Sequence, residues 1–473
     1  MAALVSLPSP AKVLVLSDAV EVQALHTSRA QSLRLEYENK VLQYKNYQKS
    51  FLPSFEFTLS PFSFNRSIQR LQQPSDGSYT YVEDYSASSA TGLTLHQKVG
   101  VTGGSFSIGT SLNYLYEFTD KKNSFNTRPF YISYNQPLWG GYRDYRFNRS
   151  INQLTYALAS KQYAHRMVSL QQQVLSLYLE CFLNKLSLEH VTYMAEASDT
   201  LMQVARLRRD GGMITDYDYK QIELSCAESV LEQSAGRYKL ESSLRALTTL
   251  LEMGDTIQIP SRISFKLPEV SADDVHFYIR KNNSSYLETE LQLTEAKRSL
   301  WKARQENQIN GTISVDYGVN QYGTSLALAY KRPSTQQSVG ITLSFPLFQW
   351  GVEHNKRRMA ENQYQIQENT VEQTRRDFEN KIVETVANYN NVLSRSELAE
   401  RTYRLAEENF RLKVRQFLME RISVTEMIDA RRTLYGQMTQ YYSTLHTLYT
   451  SYYEIKQMTL YDFKRHCNVW DKL

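Results

Sequence analysis

The chain contains 473 residues with a formal net charge of +5, and its 54 basic residues are spread out, which argues against a nucleic-acid partner. The three cysteines, Cys181, Cys226 and Cys467, are far apart and lack the spacing of a zinc site or a disulfide framework, so no metal or other cofactor is predicted. No apolar run reaches the ~18 residues of a membrane-spanning helix, and Met1–Val20 lacks the charged start and continuous apolar stretch of a signal peptide.

The first part of the chain changes from helix to strand. Asp18 has the character of an N-cap, and it predicts a helix that continues to about Ser50. Between residues 53 and 136, apolar and polar residues alternate in several segments, which predicts strands, but residues 65–90 lack this pattern and predict a long exposed loop. Such alternation is typical of both a soluble sandwich and a membrane barrel, so the pattern alone leaves both open.

A helical hairpin is predicted at residues 143–252. Residues 143–209 contain no proline or glycine, and their apolar residues recur in steps of three and four, as in a coiled coil. Gly211 and Gly212 end this helix, because glycine accepts the left-handed conformation at a helix C-terminus. Thr215 or Asp216 then begins the return helix as its N-cap.

The second part of the chain repeats this plan. Strands are predicted at residues 311–346 and a second helical hairpin at 352–465. Ile422–Ala430 is a near copy of Ile214–Ile222, at an offset of 208 positions, and the segment around Pro137 reappears around Pro346, at an offset of 209. Two unrelated motifs that repeat in the same order indicate an internal duplication, with repeats at 1–260 and 261–473.

These motifs resemble the TolC-like outer-membrane efflux proteins of Gram-negative bacteria, from about residue 16 to 465. The resemblance rests on the strand-to-helix segments Gln136–Gly141 and Phe345–Phe348 and on the tips Gly212–Thr215 and Ile422–Ala430. The additional hairpin at 91–118, with its turn Val101–Gly104, resembles a variant of Bacteroidetes members.

The resemblance implies a mixed, mainly α fold in a homotrimer. Long antiparallel coiled-coil helices form a periplasmic α-barrel, and the strands of three subunits share one β-barrel in the outer-membrane lipid. Such a protein is a passive exit duct of a tripartite efflux or type I secretion system, with a periplasmic adaptor and an inner-membrane pump as partners. Four strands per subunit give twelve in the barrel, and the additional hairpin would give eighteen, so the strand number stays open, as does the cargo.

The resemblance also implies roles for individual residues. Glu426 and Asp429 match two acidic positions that ring the periplasmic constriction, and three residues of separation places both on one helix face. Asp218 matches a latch position, and Gln221 aligns with Asp429 in the repeat. Ile422 occupies the position where the family can have a latch arginine, and Arg421 is adjacent to it. The surfaces expected to contact the adaptor are the two tips: Gly211, Gly212, Ile214, Thr215, Asp216, Ile422, Ser423 and Thr425.

Trp139, Tyr142, Phe348 and Trp350 lie where strands meet helices and predict an aromatic girdle at the periplasmic side of the membrane. The alternatives are ordinary packing at this junction and, for Glu426 and Asp429, an ordinary solvated helix face. No metalloprotease, nucleophile-elbow or phosphate-binding motif occurs, so no enzyme is predicted. A soluble, rod-like coiled-coil scaffold with a β appendage is the competing function.

Overall fold

The structure is a computed structural model, and it describes residues 12–72, 77, 79–254, 257–260, 267–306, 309–345, 347–419 and 421–472. Pro346 and most of the segment tested for a signal peptide lie outside these residues. The helices are α1 (Ser28–Lys49), α2 (Gly141–Asp210), α3 (Asp216–Leu251), α4 (Ala272–Asn282), α5 (Ser284–Glu306), α6 (Val352–Leu418) and α7 (Val424–Thr459). The strands are β1 (Lys12–Val13), β2 (Ser54–Gln72), β3 (Tyr79–Val99), β4 (Gly104–Glu117), β5 (Lys122–Pro137), β6 (Ile257–Gln258), β7 (Asn310–Gly323), β8 (Ser334–Ser344), β9 (Tyr461–Asp462) and β10 (Cys467–Asn468).

The chain forms two compact units. The sheet unit contains Lys40–Ala157 and Glu288–Glu372, and the helical unit contains the residues through Asn39, Leu158–Leu287 and those from Gln373 onward. Each unit draws on both predicted repeats. None of the described helices has the length and apolar composition needed to cross a bilayer.

In the helical unit, α2 and α7 lie between α3 and α6. Phe182 of α2 contacts Tyr442 of α7, with ring centroids 5.9 Å apart. Asn184 of α2 donates a hydrogen bond to Ser243 of α3, and the ring of Tyr403 in α6 stacks on Tyr441 of α7. The core runs along these contacts and includes the apolar seam of α7: Leu434, Met438, Leu445, Leu448, Tyr452 and Ile455. This arrangement leaves α3 and α6 at the two edges of the helical layer.

The start of this unit differs from the prediction of one helix from Asp18 to Ser50. Asp18–Val22 form a π-helical turn and Gln23–His26 a 3-10 turn, and α1 begins only at Ser28. The extended backbone of Thr27 separates the turns from α1. Thr27 is the residue whose hydroxyl accepts a hydrogen bond from the Ala30 amide, so the capping group lies nine residues later than Asp18.

The sheet unit holds a six-stranded antiparallel sheet in the order β2-β3-β4-β5-β7-β8. The predicted loop at 65–90 is wrong for its described residues, because β2 extends to Gln72, β3 begins at Tyr79, and the two strands pair from Ser54↔His96 to Gln72↔Tyr79. The additional hairpin, β3 and β4, is part of the same sheet. The sheet of this chain therefore has six strands rather than four.

The two faces of this sheet differ in polarity. Val315 of β7 is opposite Val339 of β8, and Ile313 is opposite Ile341, which gives one apolar face. On the other face Asp316 accepts a hydrogen bond from Ser338 (3.1 Å), and Asn320 donates one to Gln336 (3.2 Å). The apolar side chains Val339 and Ile341 are 74% and 65% exposed, so this chain alone does not cover its apolar face.

The turn between β3 and β4 packs on the start of α2. A Cβ added to Gly103 would lie 2.4 Å from the Cα of Gly141, and Gly103 has a φ of +73°. Only glycine accepts both the close backbone approach and this left-handed conformation. Gln136 holds the same turn, because its Nε2 donates a hydrogen bond to the carbonyl of Thr102 (2.8 Å).

Candidate functional site at the hairpin tips

The first tip joins α2 to α3 through glycine. The amides of Gly212 and Met213 donate to the carbonyls of Arg209 and Arg208, and Gly212 has a φ of +70°. Thr215 is the N-cap of α3, as predicted for one of the two candidates. Its hydroxyl accepts from the Asp218 amide (3.1 Å), and Asp218 Oδ2 accepts from the Thr215 amide (3.3 Å) and hydroxyl (2.8 Å). This reciprocal capping box fixes the start of α3.

The second tip has the same design. Ser423 is the N-cap of α7, and its hydroxyl accepts from the Glu426 amide (3.2 Å). The Glu426 carboxylate accepts from the Ser423 amide at 2.9 Å, and its other oxygen lies 3.9 Å from Lys413 Nζ. The side chain of Thr425, a predicted adaptor contact, lies outside the described residues.

An apolar cluster joins the two tips. Ile222 of α3 and Phe417 of α6 are buried in it, and Ile214 and Ile422 pack against them from the two tips. The Arg208 guanidinium lies 5.1 Å from the centre of the Phe417 ring. Ile422 thus packs in the core between the hairpins, at the position where the resemblance allows a latch arginine.

The two acidic residues predicted to form a constriction ring are exposed on α7. Glu426 has a pKa below its ordinary value because the Ser423 amide and hydroxyl bind its carboxylate and Lys413 adds a positive charge. Asp429 lies 4.0 Å from Arg432 on the next turn of the helix. With this lowered pKa, the Glu426 carboxylate is negatively charged at neutral pH.

The predicted latch residues are not brought together in this chain. Asp218 is engaged in the cap of its own helix, and Gln221 donates a hydrogen bond from Nε2 to the hydroxyl of Tyr217 (2.9 Å). Arg421 is exposed on the second tip, and its amide donates to the carbonyl of Gln416. Two of the three side chains thus serve their own hairpin.

A polar contact between the hairpins was not predicted. Arg431 of α7 donates from Nη2 to the hydroxyl of Ser229 in α3 at 2.6 Å, and Ser229 is fully buried. Burial and the nearby Arg431 charge lower the pKa of His190, which stacks on Tyr435. The capping roles were visible in the sequence as Thr-x-x-Asp and Ser-x-x-Glu, but no local pattern pairs Arg431 with Ser229.

The four residues of the predicted aromatic girdle lie in the sheet unit and are exposed. Trp139 and Tyr142 are 40% and 53% exposed, whereas Phe348 and Trp350 are 71% and 86% exposed. The rings of Phe348 and Trp350 contact each other edge to face, with centroids 4.6 Å apart. The Arg146 guanidinium lies 5.8 Å from the ring of Tyr142.

The fold is that of outer-membrane channels. It is similar to the Campylobacter jejuni CmeC outer membrane channel, with a TM-score of 0.68 at 13% identity over 94% of this chain and 85% of that one. The CusC structure gives a TM-score of 0.64 at 13% identity over 96% and 95%. For the open state of the Neisseria gonorrhoeae MtrE channel the TM-score is 0.59 at 15% identity over 94% and 88%.

Part of the sequence also matches a family model. Residues 280–459 match the family model described as outer membrane efflux protein. A search of curated proteins found no match. The predicted resemblance to the outer-membrane efflux proteins is therefore confirmed over residues 280–459.

Proposed function

We propose that this protein is the outer-membrane channel of a tripartite efflux or type I secretion system. Three copies form a β-barrel in the outer membrane and an α-helical barrel in the periplasm. An inner-membrane pump delivers substrates through a periplasmic adaptor, and the channel is their passive exit duct. The observation that carries the proposal is the exposed apolar face of the sheet in a chain with an outer membrane efflux protein domain.

The sheet supports this proposal because of its faces and its edges. Phe55 and Phe57 of β2 are 74% and 67% exposed on the apolar face, at one edge strand, and β8 at the other edge exposes Val339. An open sheet edge carries unpaired amides and carbonyls, which lipid cannot satisfy. Pairing of β2 with β8 of a second copy would close the sheet, and six strands from each of three chains would make a barrel of eighteen.

The edge helices support the trimer independently. Tyr217, Leu224, Leu231 and Tyr238 recur every seven residues along α3, and each is between 61% and 74% exposed. Leu398, Leu405 and Leu412 recur in the same way along α6, and Met419 continues the row directly after its end; each is between 56% and 63% exposed. Apolar residues at this spacing form coiled-coil seams. We infer that α3 of one subunit packs against α6 of the next.

In this assembly Glu426 and Asp429 form the negatively charged constriction. Threefold symmetry would bring six carboxylates together, which favours cations and opposes tight closure. The tips around Gly211–Asp216 and Met419–Thr425 contact the adaptor, whose binding shifts the hairpins toward the open state. Trp139, Tyr142, Phe348 and Trp350 form the periplasmic aromatic girdle.

A single substitution on α3 tests the assembly. Leu231→Lys places a charge in the proposed seam, whereas Glu232→Lys is an exposed control outside the seven-residue row. We expect wild type and the control to require detergent and to have the mass of three chains by light scattering, and Leu231→Lys to dissociate. A wild-type protein that is monomeric, or that purifies without detergent, would favour the scaffold function.

A further inference from the structure

The loop between β7 and β8 folds back on the sheet. Leu328–Tyr330 form a 3-10 turn, which internal hydrogen bonds from Ala329 to the Ser325 carbonyl (3.0 Å) and from Lys331 to the Leu328 carbonyl (3.2 Å) stabilise. Ala329 is fully buried, and its carbonyl accepts a hydrogen bond from the hydroxyl of Thr127 in β5, which is also buried. The turn is therefore packed against the sheet at a defined position.

The turn lies on the apolar face. Gly323 has the same orientation along β7 as Val315 and Val319, because residues alternate between the two faces of a strand. A Cβ added to Gly323 would lie 2.6 Å from the Ala329 amide nitrogen. The turn thus covers the end of the face whose apolar side chains are exposed.

The outer surface of this turn is amphipathic. Leu326, Leu328 and Tyr330 are 49%, 47% and 46% exposed. Lys331 and Arg332 follow directly and are also exposed. Apolar side chains and a tyrosine next to two cations are the composition that favours a lipid–water interface with anionic headgroups.

The position of the turn at the end of β7 is consistent with such an interface. Gly311, at the strand-to-helix end, and Gly323 are separated by about 40 Å of extended strand at ~3.3 Å per residue. At the ~35–45° tilt of strands in a membrane barrel, this length spans roughly 30 Å along the membrane normal. That distance is about the thickness of the hydrocarbon core, so the turn lies at the headgroup level opposite the aromatic girdle.

We propose that Ser325–Arg332 is an interfacial wedge that binds lipids with phosphate-bearing, anionic headgroups. Leu326, Leu328 and Tyr330 insert at the edge of the apolar band, and Lys331 and Arg332 pair with headgroup phosphates. The wedge rests on the proposed channel function, because it requires lipid on the apolar face of the sheet. It adds a lipid preference that the channel function does not require.

Tryptophan fluorescence in vesicles tests where the wedge lies. Tyr330→Trp places a reporter on the wedge, and Tyr322→Trp is the matched control, because Tyr322 is exposed on the polar face of the same strand end. The signal is the emission added to that of wild type, and lipids with brominated acyl chains are the quencher. We expect quenching of the tryptophan at 330 and none at 322.

The contribution of the two cations is tested with Lys331→Ser plus Arg332→Ser in the Tyr330→Trp background. We compare a minor fraction of brominated phosphatidylglycerol with the same fraction of brominated phosphatidylcholine. Each surface cation contributes about 1 kcal/mol, which is roughly fivefold in local enrichment of the anionic lipid. We expect the double variant to lose the contributions of both cations.

The outcomes separate the wedge from the channel. If native Trp350 is quenched but the tryptophan at 330 is not, the channel function stands and the wedge is overturned. Equal quenching by the two brominated lipids when Lys331 and Arg332 are both present would also overturn the wedge. An unquenched Trp350 in vesicles would contradict the channel itself. Quenching at 322 as strongly as at 330 would contradict the assignment of the two faces.

Discussion

A buried ion pair at the end of α7 gives the sharpest stability prediction. Lys456 Nζ lies 2.8 Å from Asp462 Oδ2, and the two side chains are only 9% and 10% exposed. Tyr452 donates its hydroxyl proton to Asp462 Oδ1 at 2.8 Å, and the amides of Lys464 and Arg465 point to the same oxygen. This network fixes the C-terminal segment that follows the left-handed residue Leu460.

The prediction is that Asp462→Asn destabilises the helical unit. Removing one partner of a buried pair costs roughly 3–5 kcal/mol, because the other charge stays buried without compensation. With an unfolding entropy of ~2.1 cal/mol/K per residue, a chain of this size would lose about 3–5 °C in Tm. Differential scanning fluorimetry in detergent measures the shift. Lys456→Met in the Asp462→Asn background should restore part of it.

The same pair predicts a pH dependence. Burial opposes ionisation of Asp462, but Lys456 and the hydrogen bonds outweigh it and hold its pKa below the ordinary value. The stabilisation is therefore complete above the ordinary aspartate pKa of about 3.9 and is lost as the pH falls through the lower, folded-state pKa. Asp462→Asn should thus differ least from wild type in strong acid. A Tm within 1 °C of wild type at pH 7 would refute the reasoning.

Two further substitutions test packing. Gly103→Ala forces a Cβ into Gly141 and requires a left-handed alanine, so it should lower the Tm of the sheet unit. Gly436→Ala is the control and should not lower the Tm, because nothing lies within 4 Å of the added Cβ. Arg431→Ala leaves the buried Ser229 hydroxyl without its charged donor, which costs roughly 1.5–3 kcal/mol; an unchanged unfolding midpoint in denaturant would contradict this role for the contact.

The sequence predicted the elements that carry strong periodicity. The long helical hairpins and the glycine tip after α2 both appear in the structure, because an apolar stripe or a helix-ending residue marks each of them. The predicted resemblance to outer-membrane efflux proteins is likewise confirmed, by the family match over residues 280–459. The repeat boundary at 260 and the roles of the tip residues remain predictions.

Residues 65–90 show why the rest could not be predicted. Ser67, Asp84, Ser86 and their neighbours pair in register across β2 and β3, but polar side chains on both faces remove the alternation on which a strand prediction depends. The latch stays a prediction, but the sequence also offers Asp218 a local role. Asp218 lies three residues after Thr215, and in this chain its carboxylate accepts hydrogen bonds from the Thr215 amide and hydroxyl.

The gate is tested most directly by planar-bilayer conductance of the purified protein. Glu426 also caps α7, so the informative change is Glu426→Gln plus Asp429→Asn, because glutamine preserves a capping box while both charges are removed. Ser423→Ala is the matched control, since it removes the cap hydroxyl, at about 1 kcal/mol, and retains both charges.

The wild-type protein should give small, cation-selective currents that multivalent cations block from the tip side. The double variant should lose this block and most of the selectivity, while Ser423→Ala should retain both. A protein that is folded and trimeric but forms no pore would contradict the channel function. A pore whose block is unchanged in the double variant would contradict the assignment of the constriction to Glu426 and Asp429.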